Sequence, residues 1–408
     1  MSYSQEQLLG MLDGAIKGLT TVSTLGSTIL EPQQFDRYVR MLQKKAVLLP
    51  RVRMQVMDAP IVDIDRIAFT TRVMGPPAAE GTGKSTSDYV APTFVEHQLE
   101  ACEMQGVVGV TDKMLRRNPE RQALMNTILD LMAERTGLDI EEQGINGDTD
   151  SGDTFLALND GWLAKTRRRC PEDAAKAYDD LTTPSFSTIS AQTTAIVYYP
   201  MLPILEGTFE LWEVETDSSH GTLVADEDGD GVLDEVASSG VGGTIDYESG
   251  MIVLTGLTPS TDYAVKYTAN AFDNTDSNYP ENAFDQAIRV LPKQNFRTPS
   301  EWLLCVPWHV LKAYRDRLKA RESSLGDQYQ QGAGDSAPYE GITILYVPNM
   351  PQNRLWLTHP DNTVYGIFHE VQMETERQAV AKRTDIIVNA ETDYGFEDPE
   401  ASVVVELS

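Results

Sequence analysis

A short acidic stretch carries the side chains that a hard cation prefers. Four aspartates alternate with glycine in the pattern Asp-x-Asp-Gly-Asp-Gly-x-x-Asp, namely Asp226, Asp228, Asp230 and Asp234. Oxygens at the first, third and fifth positions, with glycine at the sixth, can wrap a calcium ion. Alanine stands where such loops usually have a bidentate glutamate at the twelfth position. The pattern predicts a structural Ca²⁺ or Mg²⁺ site, and an ion-free acidic hairpin is the alternative.

A second motif, at residues 78–85, matches a relaxed phosphate-binding loop, A-x-x-x-x-G-K-S. Phosphate binding of this kind needs a strand that ends at the loop and a helix that begins on it. Pro76 and Pro77 precede the motif and a strand-like pattern follows it. We therefore expect the tip of a β arm here, not a nucleotide site.

The sequence lacks the groups expected of an enzyme. Its five histidines have no metal-pair spacing, the nucleophile pattern G-x-S-x-G is absent, and the three cysteines are far apart. We therefore expect neither catalysis nor a required cofactor.

Length and composition predict a folded chain of several parts. The 408 residues are 41% apolar, enough for two or three domains with real cores. No apolar run is long enough to span a bilayer, and no signal-peptide pattern opens the chain. We expect a protein that is neither secreted nor bound to a membrane.

The charge is strongly negative. Sixty-two acidic against 33 basic residues give a net charge of −29, with 33 Asp among the acids and 21 Arg among the bases. Abundant Asp with scarce Lys is typical of proteins that work in molar salt, where repulsion between surface charges is screened. An acidic protein from an ordinary environment is the alternative.

Acidic and basic residues are segregated along the chain. Residues 184–282 contain 17 acids and a single base, Lys266. Two segments are basic instead, and their bases are Arg37, Arg40, Lys44, Lys45, Arg51, Arg53, Arg167, Arg168 and Arg169. Such clusters either face a negative partner or pair with acidic neighbours.

Hydrophobic patterns predict the elements that carry these groups. Residues 52–115 read as a long two-stranded β arm, which cannot bury both faces within its own chain and should lie across a neighbour. Asn118 and Pro119 predict the start of a helix over residues 119–143, with Leu124, Ile128, Leu131 and Met132 as its apolar stripe. Residues 184–282 predict a small antiparallel sandwich, and alternating helices and strands follow it.

The order of these parts resembles the major capsid proteins of tailed double-stranded DNA viruses, whose fold is named after bacteriophage HK97. The resemblance extends over roughly 300 residues, apart from the acidic segment. It rests on the phrases EEQGINGDTDSG, WLLCVPWHVLKAYRDRLKARESSLGD, YEGITILYVPNMP and DIIVNAETDYGFEDPEASVVVEL.

The resemblance implies an α+β fold with the parts of an HK97-like capsid subunit. These are an N-terminal arm (1–50), a β extension or E-loop (51–115), a P-domain with a spine helix (116–165 and 363–395), an A-domain (166–183, 283–362 and 396–408) and an inserted acidic all-β domain (184–282). It also implies that the hairpin tip near residues 375–383 meets neighbouring copies. Some relatives crosslink through a lysine on the arm, a role open to Lys84.

The implied function is structural. Copies would assemble into hexamers and pentamers of an icosahedral head around double-stranded DNA, in the cytoplasm of a host that the composition suggests is a halophilic archaeon. Decoration, portal and scaffold proteins would be further partners. The basic residues named above would face the packaged DNA non-specifically, and the acidic domain would lie outside. The alternatives are an encapsulin-type cellular shell protein and a calcium-dependent adhesion module.

Overall fold

The structure is a computed structural model. It describes residues 46–68, 74, 93–113, 123–171, 176–179, 186–187, 193–214, 221–236, 238–269, 279–292, 296, 298–320, 338–368 and 372–407. The residues predicted to form the N-terminal arm up to residue 45, the phosphate-loop motif with Lys84, and the helix start at Asn118 and Pro119 lie outside this set.

Strands dominate the described residues. In chain order they are β1 (Arg53–Met57), β2 (Ile61–Ala68), β3 (Thr93–Glu100), β4 (Cys102–Thr111), β5 (Arg168–Cys170), β6 (Lys176–Asp179), β7 (Phe186–Ser187), β8 (Thr194–Tyr198), β9 (Glu210–Glu213), β10 (Thr222–Glu227), β11 (Val232–Glu235), β12 (Gly242–Asp246), β13 (Met251–Thr255), β14 (Asp262–Ala269), β15 (Leu303–Val306), β16 (Thr343–Tyr346), β17 (Arg354–Thr358), β18 (Thr363–Phe368), β19 (Gln372–Gln378), β20 (Arg383–Phe396) and β21 (Ser402–Glu406). The α-helices are α1 (Ala123–Asn146), α2 (Trp162–Lys165), α3 (Glu281–Val290) and α4 (Trp308–Ala320). This mixture confirms the predicted α+β class.

The chain divides into two compact units. Unit 1 comprises residues 1–144, 148–160 and 364–395, and unit 2 comprises residues 145–147, 161–363 and 396–408. The chain thus leaves each unit and later returns to it.

A five-stranded sheet in unit 1 gathers strands from distant parts of the sequence. Its order is β1-β18-β20-β19, and β4 also pairs with β20. The ladder between β4 and β20 runs antiparallel from Thr111 opposite Arg383 to Cys102 opposite Thr392. Long-range pairing of this kind fixes the two segments in register with each other.

Of the arm predicted over residues 52–115, β2 and β3 form a ribbon in unit 1, whereas β1 and β4 belong to the five-stranded sheet. The two strands pair antiparallel from Ile61 opposite Glu100 to Ala68 opposite Thr93. Within the described residues they form a two-stranded sheet of their own. The base of the ribbon is anchored because Ile64 and Leu99 belong to a small buried cluster.

Over the described residues, the long helix α1 lies where it was predicted, but the residues that it buries differ from the predicted ones. It ends at Asn146, immediately before Gly147. Leu131, predicted to lie in the apolar stripe, is 58% exposed, whereas Ala133, Ile140 and Ile145 are buried. The expectation for Leu131 is therefore wrong, because tertiary contacts bury other positions of the helix and leave this side chain in solvent.

Unit 2 contains a mixed five-stranded sheet with the order β16-β15-β17-β21-β5. Helices α3 and α4 bury apolar side chains, including Phe284 and Leu311, in the same hydrophobic core as the strand residues Leu304 and Val403. This core continues into the acidic segment, where it includes Phe209 and Ile252.

The acidic segment forms one curled sheet and not the predicted two-sheet sandwich. Nine strands join in the order β6-β14-β9-β10-β11-β12-β13-β8, with β7 also on β14. The aromatic rings of Tyr178 on β6 and Tyr199 after β8 lie 6.2 Å apart, so the two ends of the sheet approach each other. They line a cleft of about 510 Å³. Since β6 belongs to this sheet, the module begins before the predicted boundary at residue 184.

Among the described helices, none combines the length and the apolar composition that crossing a bilayer requires.

Candidate functional site

The four aspartates of the predicted cation loop do not gather around one point. Asp226 on β10 and Asp234 on β11 face each other across the strand ladder, and both are exposed. The carboxylates whose oxygens lie within 4.8 Å of one another belong instead to Glu227, Asp228 and Asp230. The prediction is therefore wrong for Asp226 and Asp234, because strand pairing holds them on the exposed face of the ladder. The turn instead brings the carboxylate of Glu227 close to those of Asp228 and Asp230.

Glu227 organises this turn. Its carboxylate accepts hydrogen bonds from the backbone N–H groups of Gly207 (2.7 Å), Gly229 (2.6 Å) and Gly231 (3.1 Å). The hydroxyl of Tyr247 donates a further short hydrogen bond to the same carboxylate. Gly229 and Gly231 have positive φ angles of 106° and 80°, a conformation that favours glycine.

These contacts set the ionisation of both side chains. Burial by itself would raise the pKa of Glu227, but the hydrogen bonds from Tyr247 and the three glycines outweigh it and hold that pKa below its usual value. Burial and the nearby carboxylate raise the pKa of Tyr247 to about 12. The turn therefore contains an ionised glutamate held by neutral donors.

The oxygens left for a cation are few. Both oxygens of Glu227 accept hydrogen bonds from the protein, and Oδ1 of Asp230 accepts one from the backbone N–H of Val232 at 2.8 Å. Asp228 and the second oxygen of Asp230 remain, together with spare lone pairs. Protein donors alone suffice to hold this loop, so a bound cation stays a proposal.

The three consecutive arginines have different environments. Arg167 is exposed and pairs with Glu400 at 3.3 Å. The Arg168 guanidinium is fully buried, lies 3.0 Å from the Glu400 carboxylate, and donates hydrogen bonds to the backbone carbonyls of Val290 (3.0 Å) and Ser249. Burial lowers the pKa of Arg168, against the opposing effect of Glu400.

Arg168 therefore cannot face packaged DNA, and the prediction for this residue is wrong. We call Arg168 a structural tie, because this one side chain holds together three segments that are distant in the sequence. Arg169 is also engaged within the chain, since it donates to the carbonyls of Leu163 (3.1 Å) and Ala164 (2.9 Å) near the end of α2. Sequence reasoning missed Glu400, the acidic partner of Arg168, because nothing in the sequence around Glu400 distinguishes it from other acidic residues.

The remaining basic residues divide into exposed and undescribed ones. Arg51 and Arg53 are exposed at the start of β1, as predicted residues of a basic face would be. Arg37, Arg40, Lys44 and Lys45 lie outside the described residues. Of the predicted basic residues that the structure describes, Arg51, Arg53 and Arg167 are exposed.

A second buried glutamate was also missed by sequence reasoning. Glu141 on α1 is 1% exposed, and its carboxylate accepts hydrogen bonds from the backbone N–H groups of Val47 (3.0 Å) and Leu48 (2.5 Å). Burial raises the pKa of Glu141, and these two hydrogen bonds only partly offset it. Its position in an acidic stretch of the helix gave no signal of this role.

Comparisons with known proteins give a sequence similarity that extends over nearly the whole chain. No protein-family model matches the sequence. A putative prophage capsid protein of Bacillus subtilis (strain 168), YqbE, is 24% identical over 396 residues, which cover 94% of each chain.

Two solved structures are also similar to this chain. One is the procapsid of satellite phage P4 including the size determination (Sid) protein, with a TM-score of 0.49 and 14% identity over 99% of this chain and 98% of that chain. The other is the capsid of the native GTA particle, with a TM-score of 0.47 and 12% identity over 95% of this chain and 94% of that one. The sequence similarity to the putative prophage capsid protein extends over nearly the whole chain.

Proposed function

We propose that this chain is a structural capsid subunit that assembles with identical copies into the hexamers and pentamers of an icosahedral virus head. The observation that carries the proposal is the similarity to a putative prophage capsid protein over 94% of both chains. It agrees with the capsid role that the sequence predicts and with the expectation that the chain is not an enzyme.

The geometry of the β2–β3 ribbon supports assembly. A two-stranded ribbon alone is at best marginally stable in water. Beyond its anchored base, this ribbon has no third strand among the described residues. A neighbouring copy would supply the missing cover.

The charge distribution supports an orientation within the shell. Double-stranded DNA inside a head is densely negative, so an acidic surface facing it would be repelled. We place the acidic module on the outer surface and the exposed Arg51 and Arg53 on the inner one, whereas Arg167 lines the cleft beside the acidic sheet. Decoration, portal and scaffold proteins complete the proposed set of partners.

Composition supports a halophilic archaeal host. An Asp-rich, Lys-poor chain gains most from high ionic strength, because the Debye length falls to about 3 Å at 1 M salt and repulsion between acidic groups is screened. We also propose that Asp228 and Asp230 bind a structural Ca²⁺ or Mg²⁺ ion.

Electron microscopy of the purified chain tests this function. We expect closed shells in molar salt, with nuclease-protected DNA when the particles come from infected cells. A monomer at high protein concentration and high salt would contradict the proposal. Closed shells that contain cargo protein and no DNA would instead support the cellular shell alternative, and a monomer whose ligand binding requires calcium would support the adhesion module.

A further inference from the structure

The base of the β2–β3 ribbon is the place where the chain passes between the ribbon and the five-stranded sheet of unit 1. The chain leaves the ribbon at Glu100 and enters the sheet at Cys102, so Ala101 forms the corner between them. The backbone N–H of Ala101 donates to the carbonyl of Pro60 (2.8 Å), which directly precedes β2. The two strands of the ribbon are thus joined where they meet the sheet.

An apolar side chain of the ribbon packs against glycine backbone of the sheet. Leu99 on β3 is 2% exposed. A Cβ atom on Gly395 of β20 would lie 2.8 Å from Leu99 Cδ2, and one on Gly366 of β18 would lie 3.2 Å from Leu99 Cδ1. Both distances are shorter than the separation of about 3.5–4.0 Å at which carbon atoms pack. The two glycines therefore allow Leu99 to approach the sheet closely, and a side chain at Gly395 would displace it.

Asp393 on β20 supplies the polar part of the same attachment. It is 2% exposed, and its carboxylate accepts hydrogen bonds from the backbone N–H of Glu100 (2.7 Å) and from the side-chain amide of Asn159 (2.8 Å). Gln143 on α1 in turn donates to the carbonyl of Asn159 (3.2 Å). A buried carboxylate bound by several donors is fixed in orientation, and it fixes its donors as well. The last residue of β3 is thus tied to β20 and, through Asn159, to α1.

A small change of angle at this base is amplified along the ribbon. Each strand contributes eight paired residues, which span roughly 27 Å at the rise of a β-strand. A tilt of about 10° at the base would move the far end of this paired region by roughly 5 Å. A neighbouring copy binds the ribbon best when its direction is already fixed, because ordering a loose segment on association costs free energy.

We infer that Asp393, together with the packing of Leu99 on Gly366 and Gly395, sets the direction of the ribbon and thereby strengthens the association between copies of this chain. We call these four residues the ribbon lock. Asp393 is a positioning residue, because it is buried and acts through the ribbon. The inference rests on the proposed function and identifies the part of the fold that prepares a subunit for assembly.

Assembly of variants tests the ribbon lock. The protein concentration at half assembly is measured by light scattering for the wild type, Asp393→Ala and Gly395→Ala. The first variant removes the acceptor of the Glu100 N–H, and the second displaces Leu99 while keeping every hydrogen-bonding group. We expect each variant to raise this concentration about tenfold or more, because the ribbon is then ordered only on association. Asp393→Asn should assemble nearly as well as the wild type, since its amide oxygen can still accept from Glu100.

Tyr394→Phe separates positioning of the ribbon from a general loss of stability. It removes a neighbouring buried hydrogen bond between β20 and α1, from the Tyr394 hydroxyl to the carbonyl of Ile140 (2.8 Å). Urea unfolding compares the stability of the variants, and hydrogen exchange of the unassembled subunit locates the change. Loss of the lock should speed exchange of the Glu100 and Ala101 amides about tenfold or more and leave α1 protected. Tyr394→Phe should change neither these amides nor the assembly concentration.

The outcomes separate this inference from the function on which it rests. If the wild type forms no shells, the proposed function fails and the inference fails with it. If the wild type forms shells and both Asp393→Ala and Gly395→Ala assemble at its concentration, only the inference is wrong. An equal effect of Tyr394→Phe would also overturn it, since lost stability would then explain the change. If Asp393→Ala fails to fold, Gly395→Ala decides the test, because it removes no polar group.

Discussion

At the scale of single residues, two buried glutamates show that the surroundings of a carboxyl group decide whether its ionisation stabilises or destabilises the folded chain. Glu227 is surrounded by four donors, and its pKa is lowered. Glu141 accepts from two backbone N–H groups, and burial raises its pKa. The folded chain thus favours the ionised form of Glu227 and the protonated form of Glu141.

This contrast predicts opposite pH dependences for two matched variants. The contribution of Glu227 is present above the ordinary glutamate pKa of about 4.3 and is lost as the pH falls through its lowered value. The contribution of Glu141 is present below about 4.3 and is lost as the pH rises through its raised value. Near neutral pH, Glu227→Gln should cost about 1–3 kcal/mol of unfolding free energy, because an amide NH₂ would replace an acceptor.

Urea unfolding between about pH 3.5 and pH 7 measures both effects. Relative to the wild type, Glu227→Gln should lose stability as the pH rises, and Glu141→Gln should gain it. Asp228→Asn, measured with a chelator present, controls for the loss of one charge in the same loop. Parallel pH profiles for the two glutamine variants would contradict the assigned environments.

At the scale of elements, Arg168 ties together segments that are distant in the chain. Its guanidinium contacts the turn that contains Ser249, the end of α3 at Val290 and Glu400 before β21. A buried charge held in this way is costly to break, because the partners left behind stay desolvated.

Arg168→Met should therefore destabilise unit 2 by about 3–5 kcal/mol, since it leaves two buried carbonyls and one carboxylate oxygen of Glu400 without their donor. Arg167→Met is the matched control. It removes the adjacent, exposed partner of the same glutamate and should cost at most about 1 kcal/mol. Chemical denaturation of both variants gives the comparison. Equal losses would mean that Arg168 is not the structural tie inferred above.

At the scale of the whole molecule, the charge of −29 acts through repulsion between neighbouring acids. Asp226 and Asp234 are a clear instance, because two like charges face each other across one strand ladder. Directly opposed like charges destabilise a sheet, and opposite charges stabilise it.

Asp234→Lys should therefore stabilise the chain at low salt by about 0.2–1 kcal/mol. Molar NaCl should stabilise the wild type more than this variant, since one repulsion is already removed. Thermal unfolding in about 0.1 M and about 2 M salt measures both effects. Asp234→Asn separates loss of repulsion from gain of attraction. A wild-type stability that does not depend on salt would contradict the argument from charge.

Much of the architecture could be predicted from local patterns. The α+β class, the β arm, the long helix and the strands of the acidic segment follow from hydrophobic period, turn residues and capping signals, which act over a few residues. The total charge and its segregation also depend on the sequence alone. The proposed capsid role follows from the resemblance in the order of these elements and is supported by the similarity over 94% of both chains.

The tertiary structure decided which of these residues meet. It made Glu227, not Asp226, the anchor of the acidic turn, buried Arg168 beside Glu400, and left Leu131 and Trp308 exposed. Each outcome depends on strands and loops that are far apart in the sequence. Periodicity specifies which face of an element is apolar, but only the packing of distant segments determines which face is covered and which charge finds a partner.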